Sequence, residues 1–252
     1  MGLPAPDPFP VEEHVNRVSY WRRRILRHGA LAVASGALTA GVFLFVASES
    51  PMVGWSMASA YAALALLSVT LATGPWNVLC HRPNPVSTDL RRDIGIWAGG
   101  LGLVHVVFGL QVHMSGQIWH YFFYPPAPRR LLMRFDAFGL ANYAGLGVTL
   151  ILAVLLALSN DRSLRWLGTR RWKLVHRSVY VALALVVVHG ALYQLTEKRS
   201  FAFVALFATL AIGVLALQLA GFCHVRLRVH QPTISTRRAG RLKGRGRMGN
   251  VK

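Results

Sequence analysis

His105 and His189 are the side chains of this chain best placed to do chemistry. Each sits deep inside a long apolar run, where an ionisable residue is rare and by default marks a functional site. The surrounding stretches, GIWAGGLGLVHVVFGLQV and SVYVALALVVVHGALYQL, contain no Asp, Glu, Lys or Arg. His105 follows Arg92 by 13 residues and His189 follows His176 by 13, about 20 Å at the helical rise of 1.5 Å per residue. The spacing therefore predicts two imidazoles at the same depth. Two neutral imidazoles on facing helices suit an octahedral haem iron, whose porphyrin fills the four equatorial positions and leaves two axial ones for the protein. Zinc would want three or four ligands, and no Cys, Asp or Glu lies within either run to complete such a set. Two other readings stay open. The rings can hydrogen-bond between helices, as polar side chains do in membrane bundles. They can also serve a proton or ion pathway, although the nine acidic residues all fall in loops or at helix ends and transporters usually embed carboxylates.

The other eight histidines have quieter readings. His14 and His28 flank the first apolar run, and His224 and His230 follow the last, all at head-group depth. His81 lies in the polar loop CHRPNPVSTD, while His113 and His120 belong to the far end of the third run and the loop after it. His176 marks the entry to the fifth run.

What must position the two imidazoles is a set of membrane helices. The chain has 252 residues, 54% hydrophobic and 15% charged, with a formal net charge of +19. Soluble domains carry about 25% charged residues, and a nucleic-acid-binding chain this basic would be more polar. Six apolar runs, 29–47, 55–73, 94–112, 138–158, 178–195 and 201–222, match the roughly 20 residues needed to cross about 30 Å of hydrocarbon. The expected fold is all-α, a polytopic integral membrane bundle of six transmembrane helices over residues 29–223. A segment 1–28 precedes it and a basic, flexible tail 224–252 follows. The first run begins after polar, Arg-rich sequence with no small-residue cleavage pattern, so it is expected to remain as an anchor rather than be removed as a signal peptide. Cys80 and Cys223 sit beside basic segments and are expected to be reduced and structural.

Orientation follows from the basic residues, which are retained on the cytoplasmic side. Of the 28 Lys and Arg, 23 fall in the first segment, the second and fourth connections and the tail. Five lie on the other side: Arg129, Arg130, Arg134, Lys198 and Arg199. Both termini are thus expected in the cytoplasm of a multi-pass protein of the inner membrane. The tail TRRAGRLKGRGRMGN lacks aromatic residues to stack on bases. Attraction to anionic lipid head groups accounts for its charge, with no nucleic-acid partner.

Two segments carry a resemblance. RRDIGIWAGGLGLVH, residues 91–105, is similar to the third-helix motif of the ferric reductase-like transmembrane family: a basic pair, a Gly four residues after the first Arg, and a His ten residues later. LGTRRWKLVHRSVYVALALVVVH, residues 167–189, resembles its fifth-helix motif, with Trp172 four before His176, Tyr180 four after it, and two histidines 13 apart. The likeness covers about residues 54–195. It is nearest to the haem-binding membrane subunits of bacterial protein-methionine-sulfoxide reductase systems.

The resemblance implies a b-type cytochrome with haem-ligand positions at His105, His176 and His189, and one or two haems. Members that hold two stacked haems carry a His pair on each of two helices, whereas here the third helix has no histidine 13 or 14 residues after His105. Arg91 and Arg92, level with His176, are expected to pair with a haem propionate through the guanidinium fork. His113 would serve only a second haem near the external face. Thirteen residues rotate a helix by about 220°, so His176 and His189 both act only if the fifth helix bends or the cofactors lie on different sides of it. Gly95, Gly99, Gly100 and Gly102 leave one side of the third helix narrow, for a macrocycle or a neighbouring helix. Trp97, Trp119, Tyr121, Tyr124 and Trp172 read as an interfacial belt, and Asn142 and Gln111 as helix contacts or hydrogen-bond donors to a propionate or an imidazole.

No GxGxxG segment after a strand marks a flavin or nicotinamide domain. Electrons are then expected from a separate cytoplasmic flavoprotein carrying FMN or from membrane quinol. They would leave to an acceptor beyond the outer face. By resemblance that acceptor is a periplasmic molybdenum-containing methionine sulfoxide reductase, with a ferric chelate or oxygen as alternatives. The competing class is a non-redox transporter or scaffold whose histidines are structural.

Overall fold

The computed structural model describes residues 10–46, 50–82, 88–125 and 132–229. Seven helices follow in chain order: α1 Pro10–Val46, α2 Pro51–Leu79, α3 Thr88–Val112, α4 Ala137–Leu158, α5 Asp161–His176, α6 Val179–Thr196 and α7 Phe201–Val229. No strand occurs among the described residues. A single bridge between Phe123 and Met133 and two short 3-10 turns, Met114–Gly116 and Ile118–Tyr121, shape the α3–α4 connection. Six stretches are long and apolar enough to cross a membrane, the fifth being α6 with α5 before it. The fold is an all-α bundle, and each of the six apolar runs lies in a helix.

Local chemistry sets the helix ends. Pro51 at the first turn of α2 follows an extended Ser50 and loses nothing by lacking an N–H there. Asp136 caps α4 by accepting from the Gly139 N–H at 2.8 Å. Asn160 does the same for α5 through the Ser163 N–H at 2.8 Å. α5 is the main departure from the expected layout, because the apolar-run pattern makes 161–176 a connection and the entry to a fifth helix. Its cap, its basic residues and its exposed Trp166 and Leu174 make it a separate amphipathic helix. Gly168, with φ of 70°, kinks it, and the turn at Arg177–Ser178 separates it from α6. His176 and His189 therefore stand on different helices. α7 also continues to Val229, past the expected boundary at 223, and α1 already begins at Pro10.

α2 is the central helix, packed on α1, α3 and α7, while α4 packs on α6. One core cluster joins Leu67 and Leu71 of α2 to Ala98, Leu183 and Val214. A second joins Met57 and Tyr61 to Phe203. Outside, Val33, Leu44, Leu150, Ile212 and Leu219 are exposed, the surface a lipid environment covers. Gly99 and Gly102 serve helix packing: a Cβ on them would lie 2.9 Å from Leu156 Cγ and 3.0 Å from Leu152 Cδ1 of α4. Tyr121 does not join an aromatic belt. It is 1% exposed, and its hydroxyl, shared by the carbonyls of Gly109 and His113, closes the end of α3.

At the basic end Asp93, 0% exposed, meets Arg27 Nε at 2.6 Å and His28 Nε2 at 3.5 Å, and Trp97 donates to His28 Nδ1. These contacts fasten α1 to α3. They also move Asp93 from the solvated helix end expected of it into the bundle. Asp93→Ala should loosen α1 and lower the thermal unfolding temperature in detergent. The cost should fall below the roughly 3–5 kcal/mol of orphaning a fully buried charge, because the Arg27 side chain is 29% exposed. An unchanged unfolding temperature would count against this role.

Candidate functional site

The α2–α3 pair and the α4–α6 pair face one another across a slot, and a cavity of about 380 Å3 fills it. His105 enters from α3 and His189 from α6, and both line the cavity. His105 lies seven residues before the end of α3 and His189 seven before the end of α6, so they are level as expected, roughly 10 Å from the end opposite the basic one. Their ring centres are 6.1 Å apart with planes at 77°.

Each ring is held from behind by the partner helix of its own pair. His105 Nδ1 lies 2.9 Å from the Ser56 carbonyl of α2, with Ser56 Oγ at 3.3 Å. His189 Nδ1 lies 2.8 Å from the Ala141 carbonyl of α4. A carbonyl only accepts, so both Nδ1 atoms carry the proton, and in the neutral ring Nε2 keeps its lone pair. The histidines do not bond to each other across the bundle. Their arrangement is that of metal-binding imidazoles, whose second nitrogen is pinned to a carbonyl or carboxylate. Two imidazoles that share one ion through nitrogens about 2 Å from it must have ring centres roughly 6 Å apart, close to the separation found here. Among the described residues no three or more His, Cys, Asp or Glu side chains gather to hold a metal ion.

Gly145 of α4 is the second element of the cradle. A Cβ there would lie 2.8 Å from His189 Nδ1 and 2.9 Å from Cε1, so only glycine lets α4 lie flat against the ring. Towards the basic end the cavity is lined by Leu64, Leu67, Ala98, Leu152 and Val186. Towards the opposite end polar residues, Asn142, Tyr193, Gln194, His113 and Arg199, join apolar ones such as Val53, Ile118 and Phe207. Tyr193 donates to Asn142 Oδ1 at 2.9 Å and stands beside both His189 and His113. His113, just past α3, pairs with Glu197 at 3.4 Å. Burial pushes its pKa down, and Glu197 opposes that shift.

The remaining expected site residues lie elsewhere. His176 stacks on Trp172 with centres 3.7 Å apart. Its nitrogens face the Trp172 carbonyl at 3.0 Å and Ser159 Oγ at 3.4 Å, and it does not line the cavity. Arg92 is held by Asp161 at 2.6 Å, Arg91 lies over Gly74, and neither reaches the cavity lining. Gln111 donates to the Val107 carbonyl of its own helix. Cys80 and Cys223 are free and exposed. His176→Ala is expected to leave any cofactor bound by His105 and His189 at full occupancy, as measured by absorbance per chain; a loss comparable to that of His105→Ala would contradict this placement.

No protein-family model matches the chain, and no curated protein sequence matches it significantly. The reading of the site rests on its geometry.

Proposed function

We propose that the protein is a transmembrane b-type cytochrome, the electron-transferring subunit of an oxidoreductase system of the inner membrane. The observation that carries this reading is the pair of imidazoles 6.1 Å apart that line one cavity, each with Nδ1 spent on a carbonyl and so with Nε2 free of its proton. His105 and His189 would hold one haem b. The group supplies one-electron chemistry when bound. The protein supplies the rest. The Ser56 and Ala141 carbonyls orient the rings and raise their basicity, Gly145 admits the macrocycle's ligand at close range, and the apolar lining keeps water from the iron.

The depth of the pair bears on the donor. His105 lies 17 residues from the start of α3 but seven from its end, far from a flavoprotein docked on the basic face. A quinol reaching the slot through the bilayer is favoured over a cytoplasmic FMN protein. The acceptor would dock on the opposite face, as a periplasmic methionine sulfoxide reductase would under the family resemblance. The test uses purified protein in liposomes with menadiol in the bilayer and impermeant ferricyanide outside. Ferricyanide reduction should exceed that of protein-free liposomes and fall to background with His105→Ala; equal rates in all three would overturn the proposal.

A further inference from the structure

Resting on that reading, we infer that Arg199 grips the propionate edge of the haem, so that the group sits with its anionic side towards the α6–α7 turn and away from Arg91 and Arg92. The polar groups of this largely apolar cavity, Asn142, Tyr193, Gln194, His113 and Arg199, gather at the end away from the basic face. A haem is amphipathic in the same sense, with methyl and vinyl substituents on one edge and two carboxylates on the other, and burying the carboxylates among leucines would cost far more than the reverse.

Among the described residues, Arg199 is the Lys or Arg that lines the cavity. The other described basic residues of that end are accounted for. Arg134 is bound to Asp136 at 3.0 Å and lies over the Phe138 and Tyr124 rings, and Lys198 is exposed. Lys198 adopts φ of 47°, a left-handed conformation that costs a non-glycine residue free energy. It ends α6 and turns the next side chain back over the slot. The Arg199 guanidinium approaches Glu197 at 3.7 Å, longer than a hydrogen bond, so its N–H fork remains suited to a carboxylate. Beside it, Gln194 donates to the Tyr61 hydroxyl at 2.7 Å, while its Oε1 is buried with no donor. The mouth thus holds polar groups awaiting a polar partner.

The test compares full-length protein, purified without haem, for binding of haem and of haem dimethyl ester, in which both carboxylates are blocked. In the native chain the ester should bind roughly tenfold more weakly or worse, the size expected for a lost charge-assisted hydrogen bond. In Arg199→Gln the two should bind alike, while Arg199→Lys, Arg91→Gln and Arg92→Gln should keep the discrimination. Redox titration at pH 7 should also move the midpoint of Arg199→Gln to lower potential, because a carboxylate beside the iron loses its counter-charge. If the ester penalty persists in Arg199→Gln, or vanishes instead in Arg91→Gln or Arg92→Gln, the inference is wrong and the haem reading stands. If the native chain binds neither compound, both fall.

Discussion

On the proposed haem reading, replacing either His105 or His189 with alanine should leave the purified protein without haem absorbance, and the two variants should fail to the same degree. The rings are equivalent in depth and support: each is seven residues from a helix end and each has Nδ1 on a carbonyl of the neighbouring helix. Neither has a substitute within reach, since no third His, Cys, Asp or Glu gathers with the pair among the described residues. Loss of an orienting hydrogen bond alone costs a metal site roughly 10–100-fold in affinity, and loss of an axial ligand should cost more. The check is absorbance of the reduced protein per chain. Retention of a sharp two-banded spectrum in either variant would mean that the assignment of ligands is wrong.

The second large effect removes no ligand at all. Gly145→Leu should abolish cofactor binding, because a Cβ at that position already meets the His189 ring at 2.8 Å, and the ring is tied to the Ala141 carbonyl of the same helix at 2.8 Å. Overpacking a fixed neighbour costs about 1–3 kcal/mol, and here the strain falls on a ligand whose position must be kept within a fraction of an ångström. Gly145→Ala should lower affinity by roughly tenfold. Gly147→Ala, two residues along the same helix, should be silent, because its nearest neighbour is the flexible Leu185 Cδ1 at 3.0 Å. Equal occupancy in the native chain, Gly145→Leu and Gly147→Ala, measured by haem extraction, would remove Gly145 from the site.

The contrast between these residues separates what was legible in the sequence from what was not. Apolar runs report membrane helices directly, so all six emerged. The equal spacing of His105 and His189 from their charged entry points placed the two rings level. Charge could not reveal α5, because a basic amphipathic helix and a basic loop have similar composition; only its Asn160 cap and the Gly168 kink distinguish them. Backbone partners such as the Ser56 and Ala141 carbonyls carry no side-chain signal. Gly145 looks like any small residue of an apolar helix until His189 is seen against it. Arg91 and Arg92 read as carboxylate partners because they stand level with His176 at the basic edge. Asp161, on a helix that was not foreseen, holds Arg92, and the polar end of the cavity lies at the other extreme of the bundle.

The tail beyond Val229, the His230 within it, and the segment with Arg129 and Arg130 lie outside the described residues. Among the described residues the site's lining comes mainly from α2, α3, α4 and α6, with Ile118, Tyr121 and Phe122 of the α3–α4 connection, Arg199 at the turn after α6 and Phe207 of α7.

The most direct test is the haem content of the native protein purified from haem-sufficient membranes, determined as pyridine haemochromogen per chain and paired with a potentiometric titration. The account predicts one haem b per chain, six-coordinate with two nitrogen ligands, titrating as a single one-electron wave. A colourless protein would contradict it, as would haem whose amount and spectrum do not change when both His105 and His189 are replaced.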